Sequence, residues 1–145
     1  MHNIDYRTLS DANIAGIVEA NRAELHAGCL TAEDILKELK LNRAIIHRSH
    51  HGFYIIQLKD TGGAYLWILY VDPAHRRSDI GSHMFEAAIT TYAKDYILRL
   101  RCQKSLLSFY GKFGFYAYDI ENGMHHMVGP FEDGEYDEWR LFARL

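Results

Sequence analysis

VDPAHRRSDIGSHMF, residues 71–85, marks the point where an apolar strand-like run gives way to a helix. The run stops at Pro73, and from Ile80 onward apolar residues recur at helical spacing behind a basic turn. A strand that leads through a turn into a helix directs several unpaired backbone N–H groups at one point, where the helix dipole adds partial positive charge. The stretch therefore predicts an anion-binding turn, although Asp79 places a carboxylate within it.

Length and composition bound the class of protein. The chain has 145 residues, 48% of them hydrophobic and 24% charged, and a net charge of −3, so one domain spanning residues 1–145 is expected. The charge offers no general attraction to nucleic acid or to an anionic membrane, which favours a small-molecule or protein partner. Cys29 and Cys102 form no CxxC motif, and we find neither a signal-peptide pattern nor an apolar run long enough to span a bilayer. These features predict a cytoplasmic protein.

Apolar spacing and turn residues predict the element order β-α-α-β-β-β-α-β-α-β-β. Turn signals within residues 44–71 favour an antiparallel meander, and the helix that follows favours a parallel crossover to the next strand. Together they predict an α+β fold with a mixed sheet. The predicted strands are residues 2–8, 44–48, 53–59, 64–71, 97–102, 115–119 and 125–128, and the predicted helices begin near Ser10, Thr31, Ile80 and Leu106.

The basic turn resembles the acyl-CoA pyrophosphate motif of the GNAT superfamily of N-acetyltransferases. That motif reads (Q/R)-x-x-G-x-(G/A) after a strand; here Arg76 opens it, Gly81 closes it and Asp79 replaces the first glycine. The resemblance implies a GNAT-like, centrally splayed sheet flanked by helices, with the last strand residues before the turn presenting their backbone to the pantetheine of acetyl-CoA. The acetyl-CoA-binding residues that it implies are Leu69, Tyr70, Val71, Arg76, Arg77, Ser78, Asp79, Ile80, Gly81, Ser82 and Gln103.

A second motif, SLLSFYGKFGFYAYD at residues 105–119, is similar to the Y-x-x-x-G-F signature of the same family. Tyr110, Gly114 and Phe115 match it. The resemblance implies that the Tyr110 phenol protonates, or donates a hydrogen bond to, the departing thiolate of coenzyme A. The alternative is that Tyr110 is a core aromatic residue. The resemblance covers residues 2 to about 130, and the tail at 131–145 lies outside it.

The predicted function is transfer of an acetyl group from acetyl-CoA to a primary amine by direct attack in a ternary complex. The amine belongs to a small molecule or a protein, and homodimer formation is left open. Asp79 and the absence of a glutamate from strand 64–71 favour an alternative, a catalytically degenerate module that binds acyl-CoA or regulates another protein. The general base is unassigned among Glu24, His125, His126 and a chain of waters.

Two further features carry expectations. The histidine-rich run HRSHH at residues 47–51 has no cysteine or carboxylate at ligand spacing, so no metal site is predicted. Arg99 and Arg101 are expected to be largely buried, which requires partners from the acidic tail or from an anionic group of the substrate. In the tail, Trp139 and Phe142 are expected to pack on the domain or on a second subunit, with the acidic residues near the acceptor groove. A short C-terminal strand or helix that only covers the core is the alternative.

Overall fold

The computed structural model describes residues 4–28, 30–59 and 63–143. Within these residues the strands form a six-stranded sheet of order β1-β2-β3-β4-β6-β5, in which only the β3–β4 pair is parallel. The predicted meander, crossover and mixed α+β sheet are therefore confirmed. The strands are β1 Ala44–Ser49, β2 Gly52–Leu58, β3 Gly63–Val71, β4 Ile97–Cys102, β5 Tyr116–Glu121 and β6 Met124–Gly129, and the helices are α1 Asp11–Ala20, α2 Ala32–Lys40, α3 Ile80–Tyr92, α4 Leu107–Gly111 and α5 Glu135–Ala143.

The prediction of a strand over residues 2–8 was wrong for its described part. Tyr6–Thr8 forms a single 3₁₀ turn, because the Asp5 carboxylate accepts a hydrogen bond from the backbone N–H of Arg7 and closes the turn. Tyr6 is buried, and its ring centroid lies 6.1 Å from that of Phe53. Residues 1–3 lie outside the described part of the chain.

Helices cover both faces of the sheet and create two cores. On one face, α3 and α4 pack on the sheet around Phe85, which is fully buried. On the other face, α1 and α2 contribute Ile14, Val18 and Ile35, which are also fully buried. Of the helices that the structure describes, none is long and apolar enough to cross a membrane.

A β-bulge at Trp67 divides β3 between the two cores. Ile55 on β2 pairs with Ile68 while the next residue, Ile56, pairs with Leu66, so Trp67 is an extra residue on β3. Leu66 is accordingly buried against the α3 side and Ile68 against the α1–α2 side. Strands β3 and β4 pair from Gly63–Ile97 to Leu66–Leu100 and then separate. The predicted central splay is therefore confirmed, and the bulge accounts for where it begins.

The expectation that Arg99 and Arg101 are buried was wrong. Strand β4 alternates strictly, with its leucines and Cys102 buried beneath α3 and α4 and both arginines exposed. The reason is tertiary, because the α1–α2 core reaches only as far as β3 and leaves this face of β4 open.

The C-terminal tail forms α5 and packs on the exposed face of β5. The Tyr136 ring stacks on Tyr116 at 4.5 Å, and the Trp139 ring meets Tyr118 edge-on at 5.3 Å. The expected packing of Trp139 on the domain is therefore confirmed. The side chain of Phe142 lies outside the described residues.

Candidate functional site

Two cavities open where β3 and β4 separate. The first, of about 100 Å³, is bounded by Trp67 and Arg101 from one face of the sheet and by Tyr110 from the other, so it lies within the splay between the two faces; we call it the passage. The second, of about 210 Å³, runs along Leu69–Val71 beside α4. Tyr110 and Glu24 line both cavities. The passage therefore places a phenol and a carboxylate around the same opening.

Tyr110 is held in place by aromatic packing. Its side chain is 6% exposed, and its ring meets Phe85 and Phe109 edge-on, each at 4.9 Å. The hydroxyl makes no hydrogen bond within residues 4–28, 30–59 and 63–143, and no buried side-chain oxygen there lacks a partner, so this oxygen faces the open space of the cavity. Burial, with a smaller contribution from Cys102, raises the pKa of Tyr110, so the phenol is protonated and able to donate at neutral pH.

The start of α3 is free of side-chain capping. Asp79 occupies the N-cap position but makes no capping hydrogen bond, and its side chain is exposed. The N–H groups of the first turn therefore remain available to an anionic group. A Cβ added at Gly81 would lie 3.7 Å from Val71 and 4.0 Å from Phe109, which are ordinary contacts, so no neighbour in the described part of the chain requires glycine at this position. The helix start, the cleft and Tyr110 together fit an elongated ligand with a phosphate group at one end.

Arg76 is engaged by the protein. Its Nε donates a hydrogen bond to the carbonyl oxygen of Val71 at 3.0 Å, its guanidinium lies 5.5 Å above the ring of Tyr70, and it forms an ion pair with Glu24. The pair links the turn before α3 to the segment that follows α1. In this arrangement Arg76 lines the cleft beside the β3 edge, and a phosphate group bound nearby would compete with Glu24 for its guanidinium.

The remaining predicted site residues are placed as follows. Arg77 and Ser78 are exposed in the turn, and the Ser78 hydroxyl donates to the carbonyl oxygen of His75 at 2.6 Å. Ile80 and Ser82, in the first turn of α3, are half-buried. Gln103 is half-buried at the end of β4 and lines the passage.

The structure separates the three side-chain candidates for the general base. Glu24 is the only carboxylate among the described residues that line the two cavities. His125 and His126 lie on β6 outside both linings, with His126 opposite Arg101 in the register. Sequence reasoning missed the Glu24–Arg76 pair and the passage beside Trp67, because an uninterrupted apolar run gives no signal of where a bulge falls.

The histidine-rich segment forms a stack of rings. His50 and His51 are stacked at 4.3 Å, and His51 and His75 at 3.8 Å. In the ranges that the structure describes, no group of three or more histidine, cysteine or acidic side chains is arranged to hold a metal ion.

Several solved structures share this fold. The PaiA N-acetyltransferase from Thermoplasma acidophilum, in complex with coenzyme A, superposes with a TM-score of 0.63 at 17% identity over 90% of this chain and 97% of that one. Ard1 from Thermoplasma volcanium superposes with a TM-score of 0.64 at 19% identity, over 83% of this chain and 93% of that one. Arabidopsis thaliana Naa50, in complex with the bisubstrate analogue CoA-Ac-MVNAL, gives 0.59 at 19% identity with the same coverage.

The sequence itself identifies the family. No curated protein matches the chain significantly. A family model described as an acetyltransferase (GNAT) domain matches residues 18–117, a range that runs from α1 to the start of β5 and includes the splay, the helix start and Tyr110. The chain therefore belongs to the GNAT acetyltransferase family.

Proposed function

We propose that this protein is an N-acetyltransferase that transfers the acetyl group of acetyl-CoA directly to a primary amine in a ternary complex. The observation that carries the proposal is the passage within the splay, which has the Tyr110 phenol and the Glu24 carboxylate around one opening. Family membership supports acyl transfer, and the relative solved with coenzyme A supports the choice of donor.

Three parts of acetyl-CoA would be bound by different groups of residues. The backbone N–H groups of residues 77–82 would hold the pyrophosphate, because the helix start is uncapped. The edge of Leu69–Val71, which β4 leaves unpaired beyond Leu66, would bind the pantetheine amides, with Gln103 across the splay. Bound acetyl-CoA would supply a thioester carbonyl at the passage for the amine to attack.

Two side chains would move the protons. Tyr110, kept protonated by burial, donates to the departing sulfur. Glu24 accepts the proton of the amine once Arg76 no longer holds it, and a pyrophosphate bound at the neighbouring helix start would compete for that guanidinium. Occupation of the donor site would thereby free Glu24 to act as the base.

Replacement of Tyr110 by phenylalanine tests the proposal. Acetyl-CoA affinity, measured by titration calorimetry, should stay nearly constant, while kcat, measured as free thiol released with a panel of primary amines, should fall by about 10²-fold or more. Tyr96→Phe is the matched control, because Tyr96 is half-buried beyond the end of α3 and lines neither cavity. Equal kcat values for the unmodified protein, Tyr110→Phe and Tyr96→Phe would show that Tyr110 only packs in the core.

One observation favours the alternative, an acyl-CoA-binding module without turnover. The exposed Asp79 carboxylate stands at the helix start, where it repels a phosphate. Binding of acetyl-CoA without thiol release across the whole amine panel would establish that function. Absence of any binding would refute both.

A further inference from the structure

A third cavity, of about 450 Å³, opens on the face of the sheet opposite α3. Its volume lies in the range of small-molecule sites. The charged residues among its described lining, Lys59 and Arg99, are both cations. The lining consists of Lys59, Gly63, Ala64, Tyr65, Ile97, Arg99 and Tyr118. On a chain of net charge −3 this is a locally cationic site.

Aromatic rings hold both cations. The Arg99 guanidinium lies 5.8 Å from the ring centroid of Tyr118 and 5.4 Å from that of Trp139. The Lys59 ammonium lies 5.9 Å from the ring centroid of Tyr65. Rings in these positions orient a cation without neutralising it.

No carboxylate of the described segments pairs with either cation. The four ion pairs found within residues 4–28, 30–59 and 63–143 include neither Lys59 nor Arg99. In the tail, Glu135 accepts a hydrogen bond from the backbone N–H of Glu132 and so serves the turn before α5. Acidic tail residues therefore do not supply the partner that was one of the alternatives for Arg99.

The cavity opens on the same face of the sheet as Trp67 and Arg101, which is the face opposite Tyr110, where an amine could approach a thioester held beside Tyr110. Tyr65 and Arg99 line the cavity, and the residues two positions further along their strands, Trp67 and Arg101, line the passage. At about 3.3 Å per strand residue, an anion at Arg99 would sit roughly 7–10 Å from an amine at the passage.

We propose that this cavity binds an anionic group of the acceptor, so that the preferred acceptor is a small molecule with a primary amine and a carboxylate or phosphate roughly 7–10 Å apart. The proposal rests on the proposed N-acetyltransferase function. It disfavours a diamine acceptor, because the second ammonium would face Lys59 and Arg99.

Acceptors of equal length test the charge preference. With saturating acetyl-CoA, kcat/KM should be highest for 6-aminohexanoate or 6-aminohexyl phosphate, about tenfold lower for hexylamine, and lowest for 1,6-diaminohexane. The better of the two acids identifies the anionic group. Equal kcat/KM for acid, neutral amine and diamine would refute the proposal.

Substitutions in the cavity lining test which residues cause the preference for an anionic acceptor. Arg99→Gln and Lys59→Gln should each reduce the ratio of acid to neutral amine, and Arg99→Lys should retain most of it because the charge remains. Lys40→Gln is the control, since Lys40 is an exposed cation at the end of α2 and lines no part of this cavity. If Arg99→Gln fails to fold, Lys59→Gln gives the same test. An unchanged ratio in both glutamine variants would overturn the assignment.

A binding measurement separates failure of the site from failure of the enzyme. The two tryptophans of the chain, Trp67 and Trp139, flank the passage and Arg99, so their fluorescence should change when 6-aminohexanoate binds without acetyl-CoA, and less with hexylamine. Charge-selective binding without acetylation would support the cavity and refute the N-acetyltransferase. Acetylation of all amines without charge preference would support the N-acetyltransferase and refute the role of the cavity.

Discussion

Gly114 links the second sequence motif to the C-terminal tail, and its replacement by alanine should destabilise the protein strongly. Its φ is +85°, and an added Cβ would lie 2.8 Å from the backbone oxygen and 3.3 Å from the backbone nitrogen of Phe131. The chain cannot easily withdraw, because the Phe131 N–H donates a 2.8 Å hydrogen bond to the Gly114 carbonyl oxygen. The substitution therefore meets an unfavourable backbone conformation and a steric clash together.

The two costs can be separated within this chain. A left-handed conformation costs an L-residue about 1–2 kcal/mol, and forcing one extra carbon into a close backbone contact costs about 1–3 kcal/mol more. Gly134 has nearly the same φ, +86°, with no atom within 4 Å of an added Cβ, so Gly134→Ala carries only the first cost. We expect losses of about 2–5 kcal/mol for Gly114→Ala and about 1–2 kcal/mol for Gly134→Ala.

Urea unfolding monitored by tryptophan fluorescence measures both free energies of unfolding. At roughly 2–4 °C per kcal/mol for a chain of about this length, Tm should fall by about 4–20 °C for Gly114→Ala and by about 2–8 °C for Gly134→Ala. Equal losses in the two variants would refute the reasoning, because they would show that the Phe131 backbone moves away at no cost.

Three further changes have defined outcomes. Phe85→Ala should cost about 3–5 kcal/mol in unfolding experiments, because this fully buried ring contacts four other aromatic rings; a loss below 1 kcal/mol would contradict the core described above. Asp79→Gly should tighten acetyl-CoA binding a few-fold in calorimetry, with a smaller gain at high salt, and weaker binding would give Asp79 a role in ordering the turn. Desolvation lowers the pKa of both His47 and His51 in the folded protein. Below about pH 6.5 the unfolded chain therefore binds more protons than the folded one, and the free energy of unfolding should fall as the pH drops from 7.5 to 5.5. His47→Gln should flatten this slope, and an unchanged slope would exclude His47 as its source.

Local sequence signals predicted most of the elements, the meander of β1 to β3, the parallel crossover to β4 and the family motifs. Apolar periodicity and turn residues located β1 to β6, since each signal arises within a few neighbouring residues. The prediction failed at Tyr6–Thr8, where a single Asp5 hydrogen bond replaces a strand by a turn. A turn that depends on one side-chain hydrogen bond does not change the periodicity of apolar residues, so the sequence pattern does not reveal it.

The positions of the site residues depended on tertiary structure. The sequence predicted the turn at residues 76–82 and Tyr110 as site residues, because their motifs are contiguous. Only the fold showed that β3 carries its extra residue at Trp67, that the splay begins there, and that Glu24 and Arg76 meet across the cleft. A bulge, a splay and a cross-cleft ion pair depend on residues far apart in the chain.

The exposure of Arg99 was decided in the same way. Its strand alternates arginine with leucine, and this pattern predicts which residues share a face but not which face a helix covers. The reach of the α1–α2 layer leaves that face open, and α5 brings Trp139 to Arg99 from 40 positions along the chain. The sequence by itself determined the elements and motifs because their signals are local, whereas the layer arrangement decided what each face contacts.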